Sequence, residues 1–83
     1  MSRKLSKETE MVKAFLSGVD RMTKTIYIYE SNLTEKEARI LDLRFIQGLS
    51  VKETAARLSM EVDTVNKAQK RAINKFYDFN FTY

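Results

Sequence analysis

The sequence has no cysteine, histidine, proline or tryptophan, and only two of its 83 residues are glycine. Without cysteine the chain can form neither a disulfide nor a thiolate nucleophile or metal ligand. Without histidine it also lacks the usual general base and the commonest metal ligand. We therefore expect no enzyme, no catalytic residue, no metal site and no cofactor. The absence of cysteine also fits a reducing cytoplasm, which is the location we expect.

Long hydrophobic runs are missing as well. The longest uninterrupted apolar run, residues 26–29, is far too short to cross a membrane. β-Hairpins need residues that tolerate positive φ, and with so little glycine this chain has few to offer. We predict an all-α fold, a small bundle of about four helices. Residues 1–83 should form a single domain, because so short a chain cannot bury two separate cores.

The net charge is +4, from 15 Lys and Arg against 11 Asp and Glu. This excess suits a polyanionic partner, but it is spread along the chain and forms no basic tail. Any surface that binds a polyanion must therefore be created by folding.

Residues 1–31 contain the first predicted helix, which we place at residues 6–29. Apolar residues recur there at spacings of three and four, which is typical of an amphipathic helix. They are Val12, Phe15, Leu16, Val19, Met22, Ile26 and Tyr29. We interpret this stripe as core packing, and a homodimer interface is the alternative.

Two later helices begin with the same signature. Residues 34–37 and 50–53 both fit a capping box, in which a hydroxyl and a glutamate satisfy backbone amides at the start of a helix. We predict helices over residues 35–47 and 51–58. Gly48 follows the first of these, where a left-handed residue is wanted.

The last helix should begin between residues 62 and 64 and reach at least residue 76. Its predicted buried face is Val65, Ala68, Ala72, Ile73 and Phe76. Residues 76–83 hold five of the nine aromatic side chains. We expect this aromatic tail to pack on the first helix or on a second copy of the chain.

Residues 51–70 have the pattern of a helix-turn-helix. Ala55 is small where two helices must approach, and Leu58, Met60 and Val65 are apolar where side chains must face inward. Polar residues then face outward on the second helix, the one that enters a DNA groove in this motif. They are Asp63, Asn66, Lys67 and Lys70.

Residues 33–45, 47–50, 53–55 and 63–65 resemble region 4 of bacterial sigma factors, a layout shared with LuxR-like helix-turn-helix domains. The resemblance implies a domain that reads promoter DNA through its last helix and contacts RNA polymerase. By position, it implies DNA contacts at Asp63, Thr64, Asn66, Lys67, Lys70 and Arg71. It places Arg44, and with it Arg39, near the surface that faces polymerase.

Other candidate site residues are predicted from their local chemistry. Ser50 and Lys52 are expected to contact a phosphate at the start of their helix, although Ser50 is chiefly a cap. Asp63 either accepts a hydrogen bond from cytosine or only supports the helix N-terminus. The chain departs from the family at Ser59, where glycine is usual in the turn, and at Glu61, which is a weaker cap than serine or threonine.

The function we predict is a sequence-specific transcription regulator that binds double-stranded DNA through residues 62–76. By analogy, the resemblance suggests an origin in a phage or other mobile element. The alternative is a protein-interaction module that docks on RNA polymerase or on a sigma factor and modulates transcription without reading DNA. Useful DNA affinity would call for a homodimer or for binding together with polymerase.

Overall fold

A computed structural model describes residues 7–81 of the chain, and five α-helices lie within that range. They are α1 (Lys7–Ser17), α2 (Arg21–Tyr29), α3 (Glu35–Leu41), α4 (Val51–Leu58) and α5 (Val62–Phe81). A π-helical turn, Asp42–Ile46, continues α3. The all-α prediction is confirmed. None of the helices in the described range is long and apolar enough to cross a membrane.

The prediction of one helix over residues 6–29 is wrong, because α1 and α2 are separate. Asp20 has extended backbone angles and accepts a 3.1 Å hydrogen bond from the Thr23 amide, so it caps a new helix. Gly18, just beyond α1, weakens the helix that would otherwise continue. This break raises the number of helices above the predicted four. The predicted start at residue 6 lies outside the described residues.

The break also changes which side chains of α2 are buried. Met22 and Ile26, which belong to the predicted apolar stripe, are 72% and 56% exposed. Ile28 is fully buried in their place. The stripe is confirmed on α1, where Val12 and Leu16 lie in the core, and it is wrong on α2.

One hydrophobic core surrounds the second half of α5. Its buried members are Val12, Leu16, Ile28, Ala38, Leu41, Ala72, Ile73 and Phe76. The ring of Phe15 contacts three other rings there, with centroid distances of 5.0 Å to Tyr27, 6.2 Å to Phe76 and 5.7 Å to Phe81. Phe76 and Phe81 of the aromatic tail therefore pack on α1, one of the two expected partners, whereas Phe79 is 52% exposed. Residues 82–83 lie outside the described range.

The carboxylate of Glu37 links the start of α3 to α5. Both predicted capping boxes are present, and in this one Glu37 accepts a 3.0 Å hydrogen bond from the Thr34 amide. Glu37 is buried and also forms ion pairs with two α5 cations, at 3.0 Å to Lys75 and 3.9 Å to Arg71. One side chain thus caps α3 and attaches it to α5.

The helix predicted over residues 35–47 is present from Glu35 to Ile46, but its last five residues, Asp42–Ile46, are π-helical and not α-helical. The helix widens at Asp42, and the Gln47 amide donates to the Asp42 carbonyl at 3.0 Å. Gly48 then adopts a φ of +76°, as predicted, and the Leu49 amide donates to the Leu43 carbonyl at 2.9 Å. These bonds turn the chain back toward the N-terminus of α4.

We expect Glu37→Gln to lower the free energy of unfolding by about 1–3 kcal/mol at pH 7, because it removes a buried charge from two cations. Burial raises the pKa of Glu37, but the Thr34 amide and the Lys75 ammonium outweigh it and hold the pKa below its ordinary value of 4.5. The contribution is therefore complete above about pH 4.5 and is lost as the pH falls through the folded-state pKa.

Urea unfolding at pH 7 and pH 3 measures this difference between Glu37→Gln and the wild type. The difference should be smaller at pH 3. Glu35→Gln, which changes an exposed carboxylate in the same first turn, should alter stability little at either pH. Equal stability of Glu37→Gln and wild type at pH 7 would contradict the expectation.

Candidate nucleic-acid interface

A sharp turn after α4 separates it from α5. Ser59 has left-handed backbone angles, φ 56° and ψ 43°. The Met60 amide donates to the Ala55 carbonyl at 2.9 Å, and the Ser59 amide donates to the Ala56 carbonyl at 3.3 Å. This pair of bonds is a Schellman motif, which satisfies the last carbonyls of a helix and redirects the chain. The predicted bend is confirmed.

A second, smaller core fills the angle between α4 and α5. Its buried members are Ile40, Ala55, Val65 and Ala68, with Val51, Leu58 and Met60 packed around them. Ala55 and the three residues predicted to face inward, Leu58, Met60 and Val65, all belong to this cluster. Ala55 and Ala68 are small, so the backbones of the two helices can approach closely. Ile40, from α3, closes the cluster on its third side.

The other face of α5 is exposed to solvent. All six of its predicted contact residues lie there: Asp63, Thr64, Asn66, Lys67, Lys70 and Arg71. At about 100° per residue, Asp63, Lys67 and Lys70 follow one line along the helix. Arg71 and Asn66 lie on opposite flanks of that line.

Folding concentrates positive charge on this part of α5. Residues 62–76 contain four Lys or Arg and one Asp, a net charge of +3 within a chain whose total is +4. Lys67 and Lys70 have no ion-pair partner among residues 7–81. The composition of the whole chain did not reveal a basic surface, and the formation of α5 creates one.

Arg71 and Lys75 are less available than these two lysines. Lys75 lies 3.0 Å from Glu37 and donates a hydrogen bond to it. Arg71 approaches the same carboxylate at 3.9 Å, and its side chain is 62% exposed. Lys75 therefore has a structural partner, while Arg71 can still reach outward.

The start of α4 presents Ser50 and Lys52, both exposed. The Ser50 hydroxyl oxygen accepts from the Glu53 amide at 3.0 Å, and Glu53 accepts from the Ser50 amide at 2.8 Å. The hydrogen bonds that the Glu53 carboxylate receives from the Ser50 amide and hydroxyl lower the pKa of Glu53. The Ser50 hydroxyl is thus engaged in capping α4, as expected, and the Lys52 side chain beside it is exposed.

The two arginines predicted to face polymerase have different surroundings. Arg39 is exposed and lines a depression of about 200 Å³ together with Tyr29 and Asp42. The Tyr29 hydroxyl donates to Asp42 at 2.6 Å, and burial together with this hydrogen bond raises the pKa of Tyr29 to about 12. Arg44 is half-buried, and its guanidinium donates to groups inside the protein.

Sequence reasoning missed Gln69, which accepts a 2.8 Å hydrogen bond from Arg44. A signal was present, because Gln69 follows Val65 by four residues and therefore lies on the buried side of α5. A polar residue at such a position needs an internal partner.

The chemistry of this surface suits an anion better than a metal ion. Within residues 7–81 no cluster of three or more acidic side chains is arranged to hold a metal. Glu37 and Glu53 both accept hydrogen bonds at helix N-termini. Lys67 and Lys70 of α5 are exposed to solvent.

Residues 31–77 match the sequence family described as Sigma-70, region 4. The match covers more than half of the chain and includes α3, its π-helical turn, α4 and most of α5. It leaves out α1 and α2. Comparison with curated proteins and with solved structures gave no match.

Ser59→Gly should stabilise the fold by about 0.5–1 kcal/mol, because glycine adopts left-handed angles without the steric cost of a Cβ atom. Thermal or urea unfolding measures the change. Ser59→Ala is the matched control, since it removes the hydroxyl but keeps the Cβ atom and should gain nothing. Equal stabilities of the two variants would show that Ser59 is not strained.

Proposed function

Because this chain belongs to the sigma-70 region 4 family, whose domains bind DNA and RNA polymerase, we propose that it is a sequence-specific regulator of transcription. Residues 62–76 of α5 enter the major groove of double-stranded DNA. The exposed basic face of α5, supported from behind by α4, carries this proposal. The proposed setting is the cytoplasm. The proposed origin in a phage or other mobile element rests on analogy alone.

Base recognition is assigned to the first turns of α5. An asparagine amide can bond N6 and N7 of adenine together, which suits Asn66. Lysine suits O6 and N7 of guanine, which is the role of Lys67. Asp63 either accepts from N4 of cytosine or favours the helix N-terminus by its charge.

Phosphate binding is assigned to residues around this reading face. Lys70 and Arg71 extend from α5, and Ser50 and Lys52 lie at the start of α4, the helix that crosses the DNA backbone in this motif. Thr64, exposed in the first turn of α5, adds a hydroxyl donor. Such contacts release counterions, so affinity should fall steeply as salt concentration rises.

The proposed complex has more than one protein component. A single module of this kind buries little surface on DNA. We therefore propose that the complex contains either two copies of the chain on a two-fold symmetric operator or one copy bound together with RNA polymerase. Arg39 is the residue proposed to face polymerase.

A second candidate function is docking on polymerase or on a sigma factor without DNA reading. The exposed side chains of Met22 and Ile26 on α2 favour it, because exposed apolar residues often mark protein contacts. Under this alternative Arg39→Ala abolishes transcriptional activity, while alanine at Lys67 and Lys70 is tolerated. Substitutions at Phe76, Tyr77 or Phe81 of the aromatic tail would not separate the two functions, because these side chains pack in the larger core.

We expect Lys67→Ala to weaken binding to the preferred sequence by about 5–150-fold, the equivalent of about 1–3 kcal/mol, because it removes a base contact. The sequence is first enriched from a pool of random duplexes with the wild-type chain. Fluorescence anisotropy then measures the Kd of the wild type and of Lys67→Ala for the enriched duplex and for a random one. Binding to the random duplex should change less.

Two further variants sharpen this test. Lys70→Ala should weaken binding to both duplexes and reduce the salt slope by about 1, because it removes one phosphate contact. Lys13→Ala removes the same charge from the exposed side of α1, outside the proposed reading face. It should leave the ratio of the two Kd values, for the random and the enriched duplex, unchanged. Normal binding of Lys67→Ala to the enriched duplex would remove this residue from the reading face.

A further inference from the structure

Arg44 connects three elements of the helix-turn-helix through one guanidinium group. It extends from the π-helical turn, and its Nη1 donates to the Leu49 carbonyl at 2.8 Å. Its Nε donates to Oε1 of Gln69, on α5, also at 2.8 Å. The group also lies 5.6 Å from the centroid of the Phe45 ring.

The placement of Arg44 follows from the local chain path. It comes four residues after Ile40, so it lies on the inner side of its helix. The π-helical turn and the bond between the Leu49 amide and the Leu43 carbonyl then fold the chain back beneath it. The Leu49 carbonyl thereby comes within reach, directly before Ser50, the cap residue of α4.

The second half of α5 is fixed by the larger core and by the hydrogen bonds of Lys75 to Glu37 and of Asn80 to Ser31. The apolar contacts behind its first half restrain rotation only weakly. Two of the four buried residues in the smaller core are alanines, Ala55 and Ala68. Hydrophobic contact has little directionality, so it limits distance better than it limits rotation about the helix axis. A guanidinium is planar and rigid, and two short hydrogen bonds from it define direction as well as distance.

Rotation of α5 matters because Gln69 lies close in sequence to the reading residues. Asn66 precedes it by three residues and Lys67 by two, and both side chains are exposed. A turn of α5 about its axis moves these side chains directly. Binding groups must be held within about 0.5 Å and 10–20° of their working positions to discriminate between ligands.

We propose that Arg44 is a positioning residue for DNA recognition: through Gln69 it fixes the orientation of the first half of α5, and so it determines sequence specificity more than overall DNA affinity. The inference rests on the proposed DNA-reading function. Its internal bonds also give Arg44 a role other than the polymerase contact expected from the sequence.

The test compares Arg44→Met, Gln69→Met and the double variant, because methionine keeps a long unbranched side chain without the hydrogen bonds. The measured quantity is the ratio of Kd for a random duplex to Kd for the duplex enriched by the wild type. We expect each single variant to lower this ratio by about tenfold and the double variant to lower it no further, because both remove the same bond.

Two variants separate positioning from simple stabilisation. Gln69→Glu keeps an acceptor and strengthens the bond by charge, so it should retain the wild-type ratio. Arg21→Met removes an arginine charge from the exposed start of α2 and should also retain the ratio. All measurements are made well below each variant's unfolding midpoint. If Arg44→Met does not fold, Gln69→Met and Gln69→Glu provide the same comparison.

The outcomes distinguish this inference from the proposed function. If the wild type enriches a sequence but Gln69→Met leaves the Kd ratio unchanged, the positioning role of Arg44 is overturned and the proposed function is not. Fully additive losses in the double variant also overturn the positioning role, since the two residues would then act separately. A wild-type chain that enriches no sequence overturns both the proposed function and this inference.

Discussion

The left-handed turn at Ser59 is the constraint on which the rest of the structure depends. It allows the Met60 amide to donate to the Ala55 carbonyl. Helix α4 therefore ends at Leu58, and the chain changes direction at Ser59. Because α4 and α5 then meet over Ala55 and Val65, one side of α5 is buried and the opposite side is exposed. If the helix continued through this segment, its second half could not pack against its first half. Neither side of the second half would then be buried there, and no distinct basic face would result.

Local signals were sufficient to predict the parts of the fold that neighbouring residues determine. Thr34 and Ser50 cap helices through partners three residues away, so their motifs are visible in the sequence. The turn at Ser59 was predicted in the same way, from small and apolar residues at fixed offsets. The exposed positions of the candidate site on α5 also follow from helical periodicity, although their contacts with DNA stay predictions.

The errors arose where periodicity conflicted with a local cap or where partners are distant in sequence. The apolar spacing continues from Val19 to Met22, so it hid the new helix that Asp20 begins. The contact between Arg44 and Gln69 joins residues 25 apart, and Lys75 lies 38 residues from its partner Glu37. No spacing rule connects such pairs, because only the tertiary fold brings them together.

The helices outside the family match support the proposed reading face indirectly. By itself the matched segment has a small core at the helix-turn-helix and only part of the larger core, and a unit of fewer than 60 residues buries too little surface to be more than marginally stable. Val12 and Leu16 of α1, with Ile28 of α2, complete the larger core around Phe76, near the far end of α5. A helix of 20 residues is a rod about 30 Å long, so restraint at one end limits the tilt of the other. The packing of α1 thus stabilises the fold and also restricts the tilt of the residues proposed to read DNA.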